Sequence, residues 1–591
     1  MERAADLIIR KLNEAGADHI FMISGRGILY LTDAAARNKN IRSVCTYHEQ
    51  GASYAAMAYS AMRNGIAVCL VSTGCAAANA VTAALCAYQD NLPVVFISGN
   101  NPLNENTRHT GVGIRTYGSQ EADIIPVVSS VTKYAVMLED TDSISAEVEK
   151  ALYIAQEGRK GPVWIDVPLD VQNMHIEPET QEHFTPPQSP VYDSQAQSAA
   201  NGLDRAERPV LLIGGGSADA ADEIRQLSEN YDIPVVFSPA ACDVFGAAEP
   251  LSIGAVGSIG GSRAGNFAVQ NSDYVLAVGT KLCSQLTGVR SSFARQAEIT
   301  VVDTDAGEHS KDGVKIDRFI HCDAKVFLSG LLKNGCKVRH SSWAEKCRHW
   351  KSVFALGNED FIRELKAEGR LDIYSFAAEL EKFLPDDASV ITDAGFEELI
   401  IPSAIRYKQG QRCLFPAAQG AMGYAIPAVI GAHYAGAQNI VCVVGDGSVM
   451  MNIQELGIIS AAQIPAKIFI INNNMYAVIR KRQHDLFRRR TVGNDPSDGV
   501  PAPDFRKLAE GFGISWHIAE NSEQLTSVLP EIMASGKPEI VEVISEPEQK
   551  YFHESYATNE QGRIVRRPIE DMSPFLDREL IKSEMIVPEC E

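Results

Sequence analysis

Two apolar segments in the last third of the sequence each end in polar residues that could bind a metal ion and an anion. Ile440–Val444 runs into Gly445-Asp446-Gly447, and Lys467–Ile471 ends at Asn472-Asn473-Asn474. If both segments are strands of one parallel sheet, their carboxyl ends bring a carboxylate and amide oxygens to one place. Mg²⁺ prefers oxygen ligands and commonly takes only a few from the protein and others from bound phosphates. The pattern therefore predicts a magnesium and diphosphate site, whereas a Gly-Asp-Gly turn followed by an Asn-rich loop is the purely structural alternative.

A glutamate near the N-terminus stands at a second junction of predicted elements. The short β-type run Ser43–Thr46 leads through Tyr47-His48-Glu49-Gln50 into an alanine-rich segment, Ala52–Met62, which predicts a helix. A glutamate at such a junction can be buried, and burial disfavours the charged form of a carboxyl group. The structural alternative is a glutamate that only caps the helix or interacts with its dipole. Glu49 therefore indicates a site only when it is considered together with the metal pattern.

The elements that must position these residues follow from an alternation along the whole chain. Short β-branched runs alternate with alanine-rich amphipathic stretches, which indicates parallel sheets covered by helices on both faces. We predict an α/β protein with three doubly wound parallel-sheet domains at residues 1–176, 191–340 and 365–550. A C-terminal tail, residues 551–591, is expected to pack on or gate the third domain. The predicted strands include Ile66–Val71, Pro93–Ser98, Pro209–Ile213, Ile233–Ser238, Tyr274–Gly279, Ile299–Asp305, Ser389–Thr392, Ile440–Val444, Lys467–Ile471 and Pro538–Ile544.

Composition narrows the class of protein but does not indicate its chemistry. The chain has 591 residues and a formal net charge of −21, which argues against a general nucleic-acid binder because such proteins present a basic surface. No apolar run approaches the roughly 18 residues of a membrane-spanning helix, and the N-terminus lacks the apolar core of a secretory signal. The twelve cysteines are scattered without metal-type spacing. We therefore expect a cytoplasmic protein that has reduced cysteines and binds neither nucleic acid nor membranes.

Three further stretches accompany the two motifs. They are Ser119-Gln120-Glu121-Ala122-Asp123, the run from Gly158 to Pro168, and Gly420-Ala421-Met422-Gly423. Together with Glu49 and the Gly-Asp-Gly motif, they resemble the thiamine diphosphate enzymes of the acetolactate synthase and pyruvate oxidase family. The resemblance covers nearly the whole chain, and acetolactate synthase catalytic subunits look most similar.

The resemblance implies a role for each matched position. Glu49 would hydrogen-bond the aminopyrimidine ring of thiamine diphosphate, and Met422 would support the cofactor in its bent shape. Asp446, Asn473 and the backbone carbonyl of Met475 would hold Mg²⁺ on the diphosphate. In the family the glutamate and the metal site meet across a subunit interface, so the resemblance implies a homodimer or homotetramer. The remaining implied positions are Gln120 in catalysis and Gly25, Gly74, Asn79, Gly420, Gly445, Gly447 and Ser448 in cofactor binding.

The sequence departs from these relatives around the expected substrate pocket. Gly74-Cys75-Ala76 replaces a Gly-Pro-Gly loop, and Ser119 replaces an aromatic residue. Gly395-Phe396-Glu397-Glu398 stands in place of Gly-Gln-His-Gln, and Arg482 in place of a tryptophan. Cofactor activation therefore looks intact, whereas acceptor recognition looks rebuilt.

The basic segment around Arg482 indicates what kind of acceptor the altered pocket could bind. Arg480-Lys481-Arg482 and Arg488-Arg489-Arg490 occur in an otherwise acidic chain. We hypothesise that the segment binds an anionic acceptor, such as a phosphorylated or nucleotide-linked sugar, through charge-assisted hydrogen bonds. The alternative is a solvated basic helix or a salt-bridge network between subunits. The predicted acceptor-binding residues are Ser119, Lys133, Arg480, Arg482 and Arg488.

The middle domain raises the question of a second cofactor. In related enzymes this domain binds FAD, sometimes only as a structural component. Gly214-Gly215-Gly216 follows a predicted strand and could approach a pyrophosphate, although it does not form a GxGxxG motif. The resemblance also implicates Arg159, Gly279 and Asp303 in FAD binding. The sequence leaves open whether FAD binds.

These features favour a carboligase that decarboxylates pyruvate or a similar 2-keto acid and adds the acyl unit to a carbonyl acceptor. Simple decarboxylation and flavin-linked oxidation are the alternative reactions. A non-catalytic thiamine-binding regulatory subunit is an alternative of another class. The retention of Glu49, Asp446 and Asn473 argues against that last alternative.

Overall fold

Three six-stranded sheets, each made entirely of parallel strands, form the framework of the chain in a computed structural model. The structure describes residues 1–187, 193–355, 371–558 and 563–590. Buried side chains from alternate positions of the strands enter separate cores on the two faces of each sheet. This arrangement confirms the predicted α/β class with three parallel-sheet domains. The predicted domain boundaries at residues 191 and 365 lie outside the described residues.

The first sheet lies within the N-terminal third of the chain. Val68 and Leu70 face one core, and the alternating Cys69 and Val71 face the other. In sheet order its strands are Arg42–Cys45, His19–Met22, Ala67–Val71, Val94–Asn100, Val163–Pro168 and Tyr134–Met137. Its helices are Ala4–Glu14, Leu29–Arg37, Glu49–Arg63, Cys75–Asn79, Val81–Asp90, Ile125–Val128, Ile144–Gln156 and Leu169–Asn173, and Glu2–Arg3 pairs with His175–Ile176 in a small antiparallel ribbon.

The middle sheet repeats this plan. Its strands, in sheet order, are Ser252–Ala255, Val235–Phe237, Pro209–Ile213, Tyr274–Val278, Glu298–Asp303 and Arg318–His321. Its helices are Asp193–Arg205, Ala221–Tyr231, Arg263–Gln270, Ser284–Thr287, Ala306–His309 and Ala324–Asn334, and the helix Ser341–Val353 follows them.

The third sheet contains the strands that precede the predicted metal pattern. In sheet order they are Arg412–Leu414, Ser389–Ile391, Ile440–Gly445, Lys467–Asn472, Glu539–Ile544 and Ser515–Ala519. The helices are Ile373–Glu381, Phe396–Ala404, Ala425–Tyr434, Asp446–Val449, Leu456–Ala461, Ala477–Leu486, Phe505–Phe512 and Ser522–Ala534.

The helix that carries Glu49 begins earlier than the alanine-rich pattern predicts. It spans Glu49–Arg63 rather than Ala52–Met62, because the ring of His48 accepts the backbone N–H of Gln50 and caps the first turn. A side chain at this position satisfies an N–H group that would otherwise lack an intrahelical partner. Glu49 is therefore the first residue of the helix.

The first and third domains pack closely through the helices Glu49–Arg63 and Ala425–Tyr434. Small residues line the contact, and a Cβ atom on Gly431 would lie 2.0 Å from the backbone oxygen of Ala55. Such a clash would force the helices apart, at a cost typically of about 1–3 kcal/mol for overpacking. The carboxyl edges of the two sheets are therefore held in a defined relation within one chain.

The described part of the C-terminal tail contacts both the third and the middle domains. Its beginning contacts the third domain, where Phe552 packs on the ring of Tyr374. Farther along, Arg263 donates to the Met572 carbonyl and Asn266 to that of Ile569, and both donors lie in a helix of the middle domain. Buried side-chain amides and guanidinium groups need acceptors, and tail carbonyls supply them. The tail includes the antiparallel strands Tyr556–Thr558 and Ile564–Arg566 and the helix Arg578–Glu584.

None of the helices in the described ranges is long and apolar enough to cross a membrane. All twelve cysteines lie in described residues and are free thiols.

Candidate active site

The magnesium and diphosphate pattern lies at the carboxyl edge of the third sheet. Gly445 pairs with Ile471 on neighbouring strands, so that Asp446 and Asn473 emerge close to each other. One carboxylate oxygen of Asp446 accepts the backbone N–H of Asn474 at 2.6 Å. Burial raises the pKa of the Asp446 carboxyl group to about 6. A cation beside this carboxylate would offset the cost of burying its charge.

The side chain of Asn473 points to an oxygen-ligand site at the same edge. Its Oδ1 atom is buried and has no hydrogen-bond partner among the described residues. Buried oxygen atoms without a partner are rare and need a specific explanation, such as an ion, a water or a ligand. Buried hydroxyl groups of Thr392 and Ser545, which also lack partners in the described ranges, follow two other strands of this sheet. The edge therefore fits a metal-bound diphosphate, which brings a cation and further polar atoms.

Glycine is required at two of the predicted cofactor-binding positions around this edge. A Cβ atom on Gly447 would lie 2.0 Å from the ring of Tyr476. Gly420 has a φ angle of +55°, and a Cβ atom there would lie 2.3 Å from a carboxylate oxygen of Glu398. Both positions allow neighbouring groups to approach the backbone more closely than any other residue would permit.

Asp393 organises the site, although its sequence pattern does not single it out. The hydroxyl group of Ser448 donates to Asp393 at 2.5 Å and accepts the backbone N–H of Gly423 at 2.9 Å. Burial raises the pKa of the Asp393 carboxyl group to about 6. These bonds link the loop of Met422 to the turn that carries Asp446. One feature of the sequence could have identified Asp393 as a site residue: it closely follows a short buried strand, as Asp446 does.

Two adjacent glutamates lie in the first turn of the helix Phe396–Ala404. Glu397 is buried and Glu398 is half-buried. Burial raises the pKa of each carboxyl group to about 8, and Asp446 and Asp393 add to the shift in the pKa of Glu397. Glu397 lies beside Gly445, where a Cβ atom would be 3.4 Å from its carboxyl oxygen. Both glutamate carboxyl groups therefore keep their protons to a higher pH than exposed glutamates do.

The predicted residues of the first domain meet at the carboxyl edge of the first sheet. The Asn79 side chain donates to a Glu49 carboxylate oxygen at 2.9 Å. Gly74 has a φ angle of +64°, and a Cβ atom there would lie 2.2 Å from the backbone oxygen of Gln120. A Cβ atom on Gly25 would lie 2.3 Å from the hydroxyl oxygen of Ser72, which precedes Gly74 by two residues. The tight turns therefore bring these separated positions together.

A glutamate of the third domain holds the start of the Glu49 helix. The buried carboxylate of Glu455 accepts the backbone N–H groups of Tyr47 and His48, each at 3.1 Å. Glu455 follows the Gly-Asp-Gly motif by eight residues, so the segment after the motif binds the turn before Glu49. Among the described residues of a single chain, no hydrogen bond joins Glu49 itself to Asp446. Glu455 therefore connects the turn before Glu49 with the segment after Asp446, but within one chain Glu49 and Asp446 do not bind each other directly.

Two residues expected to bind an acceptor are engaged elsewhere, which corrects that expectation. Lys133 lies at the opposite end of its strand and donates to the backbone oxygens of Ile154 and Glu157 at the end of a helix. Burial lowers the pKa of its ammonium group to about 8. Arg480 pairs with Asp495 at 3.3 Å and with Glu548 at 2.8 Å. Their positive charges are satisfied by the protein, because helix carbonyls and carboxylates lie within hydrogen-bonding distance.

The other three expected acceptor residues remain available. Ser119 is exposed, and its backbone oxygen accepts a hydrogen bond from Asn101 at 3.0 Å. Arg482 and Arg488 are exposed, and neither forms an ion pair within the described ranges. Arg488 has a φ angle of +55°, just beyond the helix Ala477–Leu486. The basic segment thus contains both structural and uncommitted arginines.

A cavity of about 830 Å³ lies at the carboxyl edge of the middle sheet and reaches all three domains. This volume is in the range of small-molecule and cofactor sites. Glu398 reaches it from the third domain and Asp90 from the first. Of the residues predicted to bind FAD, those that line the cavity are Arg159, Gly215, Gly216, Gly279 and Asp303.

Several of those residues also bind other parts of the chain. The guanidinium group of Arg159 contacts Asp305 at 2.7 Å and Glu308 at 3.1 Å. Gly214 does not line the cavity, and a Cβ atom on it would lie 2.2 Å from the Gly279 backbone oxygen. The two loops therefore need glycine to pack on each other, quite apart from any pyrophosphate. The cavity is large enough for a cofactor of the size of FAD.

Comparisons with known proteins agree with this geometry. Residues 2–125 match the N-terminal TPP-binding domain of thiamine pyrophosphate enzymes, residues 196–331 their central domain, and residues 393–543 their C-terminal TPP-binding domain. The acetolactate synthase large subunit of Parasynechococcus marenigrum is 31% identical, over 91% of this chain and 87% of its own length. That of Lactococcus lactis is 29% identical, over 91% and 92%. The probable chloroplastic acetolactate synthase 2 of rice is 30% identical, over 92% and 83%. The chain therefore belongs to the thiamine pyrophosphate enzymes and is acetolactate synthase-like.

Proposed function

We propose that the chain is a carboligase that decarboxylates pyruvate or a similar 2-keto acid and adds the acyl unit to a carbonyl acceptor. The observation that carries this proposal is the buried Asp446 beside Asn473, whose Oδ1 atom lacks a partner in the described ranges. A cation and the oxygen atoms of a diphosphate would satisfy both groups. The similarity to acetolactate synthases supports the same class of reaction.

Mg²⁺ is the proposed metal ion. Asp446, the Oδ1 atom of Asn473 and the backbone carbonyl of Met475 are the proposed protein ligands. Among the described residues, no group of three or more His, Cys, Asp and Glu side chains could hold a metal ion. A site with one carboxylate, one amide and one carbonyl suits Mg²⁺, because this ion accepts hard oxygen ligands and retains phosphates or waters in the other positions.

Glu49 is the proposed proton-handling group. Its carboxylate would bind the aminopyrimidine ring, and the 2.9 Å hydrogen bond from Asn79 would fix its orientation. When bound, thiamine diphosphate supplies the electron sink that lets CO₂ leave a 2-keto acid and keeps the remaining acyl unit nucleophilic. The Asp393–Ser448 pair would hold the Met422 loop in place against the cofactor.

A homodimer or homotetramer is the proposed active form. Tyr47, next to the Glu49 helix, is 62% exposed, and Met450 and Met451, just after the metal motif, are 41% and 49% exposed. Large apolar side chains at a binding edge are often covered by a partner surface. Covering them would let Glu49 of one subunit approach the metal edge of another.

The proposed acceptor is anionic, such as a phosphorylated or nucleotide-linked keto sugar. Support comes from Arg482 and Arg488, which are exposed and form no ion pair within the described part of the chain. Guanidinium groups bind phosphates through paired hydrogen bonds. In a chain with a net charge of −21, such a local basic surface would also attract an anion that the rest of the protein repels.

The cytoplasm is the proposed compartment.

FAD is the proposed second cofactor. The 830 Å³ cavity supports FAD because residues expected to bind it line the wall. An absorbance spectrum of the purified protein tests this part directly. A flavin released on denaturation supports it, and a protein that neither contains nor takes up flavin contradicts it.

The reaction is tested by incubating the purified protein with thiamine diphosphate, Mg²⁺ and pyruvate, with and without a nucleoside diphosphate-4-keto-6-deoxyhexose. A branched sugar nucleotide formed together with CO₂ is the expected result. Acetolactate as the main product would support the carboligase reaction but show that the acceptor is a second pyruvate rather than a sugar. Acetaldehyde alone would indicate simple decarboxylation, and acetate with O₂ consumption a flavin-linked oxidase. No CO₂ under any condition would favour the regulatory subunit.

A further inference from the structure

The C-terminal tail delivers a tyrosine to the edge of the third sheet. The ring of Tyr551 packs on that of Phe396, with ring centroids 4.4 Å apart. Phe396 is the first residue of the helix that carries Glu397 and Glu398. Tyr551 follows the last strand in the chain order of this sheet, Glu539–Ile544, by seven residues. A residue far from the cofactor motifs in sequence is thus placed beside their loops.

Within the described residues the hydroxyl group of Tyr551 is unsatisfied, as are those of Thr392 and Ser545 in the same domain. It is buried and has no hydrogen-bond partner in the described parts of the chain. By contrast, the buried hydroxyl group of Tyr274 bonds to Thr300 at 3.0 Å in the middle domain. Leaving a buried hydroxyl without a partner destabilises a protein, so a phenylalanine would suit a purely structural role better. The hydroxyl group therefore points to a ligand.

The groups around this hydroxyl indicate what the ligand presents. The helix that carries Glu397 and Glu398 packs on Tyr551 through Phe396. Arg480, two residues before Arg482, pairs with Glu548, three residues before Tyr551, at 2.8 Å. Glu397 lies beside Gly445, so Tyr551 is near both the Asp446 turn and the basic segment. The tyrosine hydroxyl group and the guanidinium group can both donate hydrogen bonds to an oxygen atom. Such a wall fits an oxygen-rich ligand.

We propose that the Tyr551 hydroxyl group, together with Arg482, donates hydrogen bonds to an oxygen atom of the anionic acceptor. This inference rests on the proposed carboligase function and names a specificity-determining residue for its second half-reaction. It also gives the tail a function, because the tail carries Tyr551 from the third domain before it crosses to the middle domain. Tyr551 is not assigned a step in CO₂ release, which precedes contact with the acceptor.

The test compares Tyr551→Phe with a matched control, Tyr274→Phe, in the cofactor-loaded enzyme. Tyr551→Phe keeps the ring that packs on Phe396 and removes only the hydroxyl group. The KM for a nucleoside diphosphate-4-keto-6-deoxyhexose should rise about five- to tenfold, as expected for one lost hydrogen bond. The KM for pyruvate should rise less than twofold. The melting temperature should stay equal or increase, because an unsatisfied group is removed.

Tyr274→Phe should give the opposite pattern, a lower melting temperature with no change in either KM, because its hydroxyl group has a partner within the protein. The proposal is overturned if Tyr551→Phe loses stability as the control does, or if the acceptor KM does not change. A rise confined to the pyruvate KM also overturns it. If the wild-type enzyme does not couple pyruvate to this acceptor, the proposed function fails first. The melting temperatures then decide separately whether the hydroxyl group is structural.

Discussion

The sheet edge that carries Asp446 and Asn473 and the basic segment after it are only a few residues apart in sequence, yet they differ in burial and in charge pairing. Asp446 and Asn473 are buried, and their positions are set by neighbouring strands and by contacts that only glycine permits. Arg482 and Arg488 are exposed and form no ion pair within the described ranges. Under the proposed function, cofactor chemistry would depend on a rigid, buried site, whereas acceptor choice would depend on exposed side chains that can change at little cost to folding.

The largest expected effect is at Glu49. Glu49→Gln keeps the size and the hydrogen bond with Asn79 but removes the proposed proton-handling group, and kcat should fall about 10²- to 10⁴-fold. Steady-state kinetics with pyruvate measure this. Glu523→Gln, at an exposed glutamate in the first turn of another helix, is the matched control and should retain wild-type kcat. Retention of more than a tenth of kcat in Glu49→Gln would contradict the assigned role.

A loss that depends on metal is expected at the buried edge. Asp446→Asn should weaken Mg²⁺-dependent binding of thiamine diphosphate by about 100-fold or more, because it removes the only charged ligand proposed. Calorimetric titration of the cofactor, with and without Mg²⁺, measures this loss. The exposed Asp504→Asn serves as the control. Equal cofactor affinity of Asp446→Asn and the wild type in Mg²⁺ would exclude this carboxylate as a ligand.

Substitutions in the basic segment should have smaller effects. Two arginines that lie two residues apart should respond differently, one in acceptor KM and the other in melting temperature. Arg482→Ala should raise the acceptor KM about tenfold and flatten its dependence on salt, because a charge-assisted contact is lost. Arg480→Ala should mainly lower the melting temperature, because it leaves Asp495 and Glu548 without their partner. Kinetics at two ionic strengths, with thermal unfolding, separate the two. If both variants behave alike, the division into structural and acceptor-binding arginines is wrong.

The smallest expected effect depends on pH and concerns Glu397. Burial raises the pKa of this carboxyl group to about 8 from an ordinary value of 4.5, so the unfolded chain releases its proton at lower pH than the folded one. Stability should therefore fall as pH rises from about 4.5 towards 8. Glu397→Gln removes this loss and should raise the melting temperature of the apoprotein at pH 8 by roughly 2–4 °C.

The same substitution should have little effect on the melting temperature at pH 5, where Glu397 is neutral in the folded protein. Thermal unfolding at the two pH values measures the difference. Glu381→Gln, at a glutamate that is paired with Arg406 near the protein surface, should instead destabilise at pH 8. An equal change in the melting temperature of Glu397→Gln at both pH values would contradict the protonated state assigned to Glu397.

Much of the fold was predictable because burial on both faces leaves a simple pattern in the sequence. Pro209–Ile213 is observed as predicted, and Lys467–Asn472 differs by one residue at its end. The start of the Glu49 helix was less predictable, because it depends on the His48 ring accepting a particular N–H group. The tail was unpredictable for a similar reason: its partners, such as Arg263, lie about 300 residues earlier in the chain.

The sequence by itself determined the α/β class and the residue types of the cofactor site, because strand burial and Gly-Asp-Gly chemistry are local properties. It also determined the family, since the motifs extend along nearly the whole chain. Only the tertiary structure decided which charged groups are free. Lys133 and Arg480 carry the same charge as Arg482, but helix carbonyls and carboxylates engage the first two. The environment of Tyr551 was likewise a tertiary property, because a hydroxyl group lacks or finds a partner only when distant segments pack around it.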